Sequence, residues 1–120
     1  MSENRLEIVD DSNWQDFTSA PLSVLVVTNK GCTHCKKWKE ELSEFLSQES
    51  EYADVRFGVI TLGGDDVTEF QESNKAWLDI LEGVPFNAFF VKGEPKTSFY
   101  GDGVSRLKNR MKRLTGSSDE

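Results

Sequence analysis

The run PLSVLVVTN, at residues 21–29, constrains the fold more than any other feature, because it is almost continuously apolar and rich in valine. A strand with one face in water would alternate between apolar and polar residues. A run without that alternation is typical of a strand that is buried on both faces. The sequence therefore predicts a central strand, in a sheet that other structure covers on each side.

Strand and helix patterns alternate around this run. RLEIV suggests a short edge strand, and DDSNWQDF after it suggests a helix with Asp11 or Ser12 as its N-cap. DVRFGVITL, at residues 54–62, predicts a second central strand. Beyond Cys35, apolar residues recur at the spacing of an amphipathic helix, with charged residues on its other side: Trp38, Leu42, Phe45 and Leu46.

The second half of the chain predicts a long helix, a hairpin and a final helix. In DDVTEFQESNKAWLDILEG, at residues 65–83, Asp66 and Glu69 resemble a capping box and Gly83 is a fitting stop. NAFFVK and KTSFYG, joined by GEP, predict an antiparallel hairpin. Asp102 is the predicted cap of the last helix, with the apolar stripe Val104, Leu107, Met111 and Leu114. The order β-α-β-α-β-α-β-β-α indicates an α/β fold, a three-layer α/β/α sandwich with a central mixed sheet.

Length and charge limit the function classes. The 120 residues predict one domain over residues 1–115, followed by a disordered tail at 116–120. A net charge of −7 makes the chain a poor match for nucleic acid or anionic lipid. MSENRLEIVDD does not resemble a signal peptide, so we expect a cytoplasmic protein unless a signal peptide has been trimmed. The charged surface has no obvious dimer stripe, which favours a monomer.

Both cysteines and the only histidine of the chain lie in NKGCTHCKKW, at residues 29–38. The pair could be a metal clip, a structural staple or a redox couple. Zinc needs four ligands, or three and a water, and His34 is badly placed between Cys32 and Cys35 to close a site with them. Cytoplasmic disulfides are usually transient and catalytic. We therefore favour a redox couple with no metal and no cofactor, while an inert pair stays open.

A helix that starts near Cys32 would make this cysteine the reactive one. It would lie among backbone N–H groups without helical partners, at the positive end of the helix dipole, which favours a thiolate. Cys35 would lie on the same helix face as the shielded, resolving thiol. An imidazolium at His34, and more weakly Lys30 and Lys36, would stabilise the thiolate further and make the disulfide a stronger oxidant.

The strand SVLVVT, the motif CTHCKKW and the pair VP before a hairpin resemble the thioredoxin superfamily over nearly the whole chain. The resemblance implies a thioredoxin-like fold and a cis proline at Pro85 beside the active site. It implies that Val84 offers backbone hydrogen bonds to an extended substrate segment. It also implies that Gly101, after the last strand, lets the substrate approach.

Four positions depart from the usual pattern of that family. Gly31 stands where thioredoxins usually have tryptophan before the first cysteine, and Thr33-His34 stands where they usually have Gly-Pro. Val26 occupies the position of the buried acid that accepts the proton of the second thiol. The dipeptide Thr33-His34 resembles that of oxidising and isomerising relatives, so it is expected to tune the ionisation of Cys32.

Together these observations predict a thiol–disulfide oxidoreductase that is more oxidising than ordinary thioredoxin. Cys32 would attack a disulfide and Cys35 would resolve the mixed disulfide. The expected partners are protein disulfides or dithiols and a reductase or small-thiol electron donor. The alternative is a redox-inactive binding module that holds a partner peptide in the groove around Gly31, Val84 and Pro85.

Overall fold

Five strands and five α-helices form the part of the chain that the computed structural model describes, which is residues 6–48, 52 and 54–114. They are β1 (Leu6–Ile8), α1 (Trp14–Thr18), β2 (Ser23–Asn29), α2 (Thr33–Gln48), β3 (Arg56–Leu62), α3 (Thr68–Ser73), α4 (Lys75–Leu78), β4 (Phe86–Val91), β5 (Glu94–Tyr100) and α5 (Val104–Leu114). A 3-10 turn at Asp65–Val67 precedes α3. The predicted domain boundary and the tail at 116–120 lie outside the described residues.

The sheet has the order β1-β3-β2-β4-β5, so β2 is its central strand. β3 runs parallel to β1 and β2, while β4 is antiparallel to β2 and β5. This is the mixed sheet that the order of elements predicted. The parallel part needs helical crossovers, and these cover both faces of the sheet.

The valine-rich strand is buried on both sides, as its composition predicted. Val24 and Val26 pack into one core cluster with residues of α2 and α5, including Trp38. Leu25 and Val27 pack into the other cluster, with residues of α1 and α3. All four strand side chains are 0% exposed, and each such burial contributes about 1.5–3 kcal/mol. The three-layer α/β/α sandwich is thus confirmed.

Asp11 does not cap α1, because Asn13 occupies the N-cap position of that helix. The Asp11 carboxylate instead accepts hydrogen bonds from the backbone N–H groups of Glu69 and Phe70, at 3.0 and 2.9 Å. Desolvation of the carboxyl opposes its ionisation, but these backbone hydrogen bonds outweigh it and lower the pKa of Asp11. Asp11 therefore satisfies free N–H groups at the start of α3, on a different element from the one predicted.

The predicted long helix over 65–83 is wrong in its continuity. It is divided into the 3-10 turn, α3 and α4, and it ends at Leu78 rather than at Gly83. No capping hydrogen bond forms from Asp66. The break falls at Asn74, whose side chain donates to the Phe70 carbonyl oxygen at 2.8 Å and so competes with regular helix geometry. Phe70 remains buried all the same.

No helix within the described ranges, 6–48 and 54–114, is long and apolar enough to cross a membrane.

Candidate active site

A short turn carries the chain from the central strand into the cysteine pair. β2 ends at Asn29 and α2 begins at Thr33, so three residues make the connection. Gly31 has φ of 78°, in the left-handed region that favours glycine, and a Cβ added there would meet nothing within 4 Å. Gly31, where thioredoxins usually have tryptophan, is therefore exposed to solvent, and its backbone has a conformation that favours glycine.

Cys32 lies immediately before α2 and caps it. Its carbonyl oxygen accepts the N–H of Lys36 at 3.2 Å, and its Sγ accepts the N–H of Cys35 at 3.1 Å. The sulfur therefore occupies the place of an N-cap side chain, where unpaired N–H groups favour negative charge. The predicted helix start near Cys32 is correct to one residue.

Cys32 and Cys35 form a disulfide. Cys35 is 1% exposed, while Cys32 is partly exposed. Cys35 lies on the face of α2 that packs on the sheet, whereas Cys32 lies at the open end of the helix. One cysteine of the pair is thus accessible to a partner and the other is shielded.

The predicted substrate residues of the second half of the chain lie together. The Val84–Pro85 peptide bond is cis, and the Pro85 carbonyl oxygen accepts the N–H of Gly101 at 2.8 Å. Val84, Pro85 and Gly101 line a cavity of about 420 Å³ with Glu82, Gly83 and Tyr100. Phe86, which follows Pro85, pairs with Val27 near the C-terminal end of β2. Pro85 therefore lies at the end of the sheet from which β2 leads to the cysteines.

His34 contacts a residue that the sequence analysis assigned elsewhere. Its Nε2 lies 3.1 Å from Oδ2 of Asp102, and both side chains are about half exposed. The predicted capping role of Asp102 is wrong, because Gly103 precedes Val104 and accepts the N–H of Leu107. Asp102 is 68 residues away from His34, so no local pattern could have revealed the pair. A carboxylate beside the imidazole would partly offset the field of an imidazolium at His34.

A buried amide links the cysteine helix to the loop after β5. Oδ1 of Asn87 accepts the indole N–H of Trp38 at 2.8 Å. Nδ2 of Asn87 donates to the carbonyl oxygens of Phe99 and Gly101, at 3.2 and 2.9 Å. Asn87 is 0% exposed, so each of these hydrogen bonds replaces water that cannot reach the groups. The sequence analysis missed this residue, although a single amide inside the apolar strand FNAFFV indicates a buried polar contact.

Asn87 lies opposite Val26, the position at which thioredoxins usually have a buried acid. It is the cross-strand partner of Val26, so the two side chains share one face of the sheet. Val26 is 0% exposed and packs in the core cluster that contains residues of α2 and α5. The side chain opposite Val26 is therefore an amide, which cannot accept a proton from a thiol at neutral pH.

Within the described residues, no three His, Cys, Asp or Glu side chains lie close enough together to hold a metal ion. The one histidine of the motif has its Nε2 paired with Asp102.

Solved structures similar to this one include several thioredoxins. The structure superposes on the thioredoxin of Malassezia sympodialis with a TM-score of 0.74, at 14% sequence identity, over 96% of this chain and 95% of that one. It superposes on thioredoxin f2 of Chlamydomonas reinhardtii with a TM-score of 0.70, at 19% identity, over 90% and 94% of the two chains. For the thioredoxin of Trypanosoma brucei brucei the TM-score is 0.70, at 15% identity, over 92% and 90%.

No protein-family model matches the sequence, and no curated protein matches it. The similarity to thioredoxins at these low identities establishes the fold, and the predicted thioredoxin-like fold is therefore confirmed. It does not by itself assign the chemistry.

Proposed function

We propose that the protein is a thiol–disulfide oxidoreductase that works through Cys32 and Cys35. The observation that carries this proposal is a disulfide at the start of a helix, with one sulfur accessible and the other shielded. A structural staple has no need of an exposed sulfur at a helix N-terminus. A dithiol enzyme needs both features, because one thiol has to meet the substrate while the other waits for the mixed disulfide.

In the reducing direction, the Cys32 thiolate attacks one sulfur of a substrate disulfide. A Cys32–substrate disulfide forms, and the other substrate sulfur leaves as a thiolate that takes a proton from water. Cys35 then loses its proton and attacks Cys32 Sγ, which forms the Cys32–Cys35 disulfide and releases the second substrate thiol. The substrate gains two electrons and the protein loses two, so a reductase or a small thiol has to reduce the pair again.

The Cys35 backbone N–H supports the first step. It donates to Cys32 Sγ at 3.1 Å. In the reduced protein this donor and the free N–H groups of the first turn of α2 would hold a thiolate at Cys32. The second step has less help, because Val26 and Asn87 offer no carboxylate to accept the Cys35 proton. We expect release of the mixed disulfide to be slow at neutral pH for this reason.

The proposal includes a disulfide more oxidising than that of ordinary thioredoxin. Stabilising the Cys32 thiolate favours the reduced state, and a protein that prefers its reduced state oxidises others more readily. The imidazole of His34 works in this direction, and Asp102 limits its effect. In a cytoplasm rich in reduced thiols, such a couple would still act mainly as a reductase.

Substrate segments are proposed to dock beside Val84, Pro85 and Gly101, which line one cavity. Gly31, which lines the separate cavity at the cysteines, brings no aromatic side chain to a segment docked beside Val84, so docking is expected to be selective. The same groove is what a redox-inactive peptide-binding module would use. The two functions differ in whether the disulfide turns over.

Catalysed reduction of insulin by dithiothreitol separates them. We expect the wild-type protein to accelerate insulin precipitation in proportion to its concentration, because Cys32 can attack the insulin disulfides. The control is the double variant Cys32→Ser/Cys35→Ser, which keeps the groove and should not exceed the rate with dithiothreitol alone. A wild-type rate equal to that of the folded double variant would favour the binding module.

A further inference from the structure

We propose that a cavity lined by lysines and by both cysteines binds a carboxylate of the substrate, next to the substrate sulfur that Cys32 attacks. Anionic disulfides would then be the preferred substrates. This inference rests on the proposed oxidoreductase function. It adds a substrate class that neither the fold nor the cysteine motif specifies.

The cavity has a volume of about 380 Å³ and is lined by both Cys32 and Cys35. Its inner wall includes two threonines of adjacent strands, Thr28 and Thr61, whose hydroxyl groups lie 3.2 Å apart. Thr28 is 1% exposed, so its hydroxyl is fixed within the core. Thr61 is partly exposed, so a group bound here would lie beside the disulfide and the Thr61 hydroxyl.

Three lysines line the same cavity: Lys30, Lys36 and Lys39. No aspartate or glutamate is among the lining residues. The chain as a whole carries a net charge of −7, so the charge of this cavity is opposite to that of the rest of the molecule. A positive cavity in a negative protein selects anions by local contact, against the long-range field.

The ammonium groups of these lysines are available to a ligand. None of the three forms an ion pair among the described residues. Other cations of the chain do have carboxylate partners, as Lys75 does with Asp79 and Arg56 does with Glu7. The three lysines that line the cavity therefore bring positive charge that no carboxylate of the described residues pairs with.

Lys30 and Lys36 are the residues on which the test relies. Lys39 also lines a second cavity, together with Glu40 and Asp66. Its charge is therefore shared between two surfaces. The cavity at Val84, Pro85 and Gly101 shares no lining residue with the lysine cavity, so variants at Lys30 and Lys36 leave that groove unchanged.

A carboxylate is the anion that a disulfide substrate brings with it. An aspartate, a glutamate or a chain terminus that neighbours the half-cystine places a carboxylate within a residue or two of the sulfur. Glutathione disulfide carries carboxylates on a small molecule, and an acidic protein segment carries them on a large one. The chemistry at the cavity is the same for both, so the experiment has an arm for each source.

The test compares three small disulfides of different charge: glutathione disulfide, bis(2-hydroxyethyl) disulfide and cystamine, which are anionic, neutral and cationic. Reduced protein is mixed with each, and mass spectrometry follows the formation of oxidised protein. The measured quantity is the rate with the anionic compound divided by the rate with the neutral one. A change in Cys32 ionisation alters all three rates alike, so this ratio isolates the cavity.

For the variant Lys30→Gln/Lys36→Gln, we expect the ratio to fall by about three- to tenfold, as two local charge contacts are lost. The matched control is Lys37→Gln/Lys108→Gln, which removes the same charge from lysines that do not line the cavity. We expect its ratio to stay within about twofold of wild type, because neither lysine lines the cavity and exposed charges outside it are screened by salt.

An equal fall in both variants, or no fall in either, would overturn the inference. Peptide disulfides with Glu or Gln beside the cysteine form the second arm. A Glu preference that the cavity variant loses supports the inference with a protein segment as the source, and a loss seen only with glutathione disulfide supports it with a small peptide as the source. Failure of the proposed function is distinguishable, since the wild-type protein would then not react with the neutral disulfide.

Discussion

Replacing Cys35 by serine is expected to leave the protein covalently attached to its substrate, whereas replacing Cys32 by serine is expected to give no attachment. The accessible sulfur of Cys32 makes the first bond, and the 1% exposed Cys35 breaks it. Without the resolving thiol the mixed disulfide persists, and without the attacking thiol it never forms. Because the two cysteines act as a unit, either change should lower the rate of insulin reduction to less than about one hundredth of wild type.

Mass spectrometry of the two variants after incubation with insulin measures the adducts directly. The variants are matched controls for each other, because each replaces one sulfur by oxygen at the start of the same helix. An adduct on Cys35 in the Cys32→Ser variant, at a yield similar to that on Cys32 in the Cys35→Ser variant, would contradict the assignment of roles. Dithiothreitol should release every adduct, which excludes attachment through other bonds.

The variant Asn87→Leu is expected to lower the free energy of unfolding by about 3–5 kcal/mol, because two buried groups and one partly buried group lose their partner. These are the Trp38 indole N–H and the carbonyl oxygens of Phe99 and Gly101. Urea unfolding measures the change, and the dependence of that free energy on urea concentration should stay the same. A loss under about 1 kcal/mol would mean that the network adds little to stability.

A double-mutant cycle with Trp38→Phe tests which part of the network matters. The Trp38→Phe change removes the indole N–H that Asn87→Leu would leave unsatisfied, so part of the cost of Asn87→Leu should disappear in the double variant. The rest should persist, because the carbonyl oxygen of Gly101 remains without its donor. Full additivity of the two single changes would contradict the contact between Trp38 and Asn87.

The sequence was sufficient to predict the layers of the fold, because a strand that is buried on both faces is almost continuously apolar. Val24 and Val26 face one helical layer, and Leu25 and Val27 face the other. The run also holds two buried polar residues, Ser23 and Thr28, but they flank this apolar centre. The prediction therefore depended on local composition alone, and composition was enough.

Helix caps could not be predicted in the same way. Asp11 and Asp102 each precede a helix in the sequence, yet Asp11 binds the start of α3 and Asp102 binds His34. A carboxylate accepts whichever donor the tertiary structure brings near it, and these donors lie 58 to 68 residues away. The sequence shows that an acid is present but not which donor reaches it.

The candidate site likewise contains residues that the sequence predicted and contacts that it could not predict. Cys32 and Cys35 are neighbours in the chain, so their chemistry was visible in the motif. Val84 and Pro85 were predicted through resemblance to a known family. The partners of Asn87 and Asp102 lie across strands and loops, and they became visible only when the sheet register and the end of β5 were known.

The equilibrium of the Cys32–Cys35 pair with glutathione tests most directly whether the disulfide is a working redox couple. The account predicts a reduction potential above about −270 mV, the value for thioredoxin, because the helix start and His34 favour the Cys32 thiolate. A potential below about −300 mV, which is typical of structural disulfides, would contradict it.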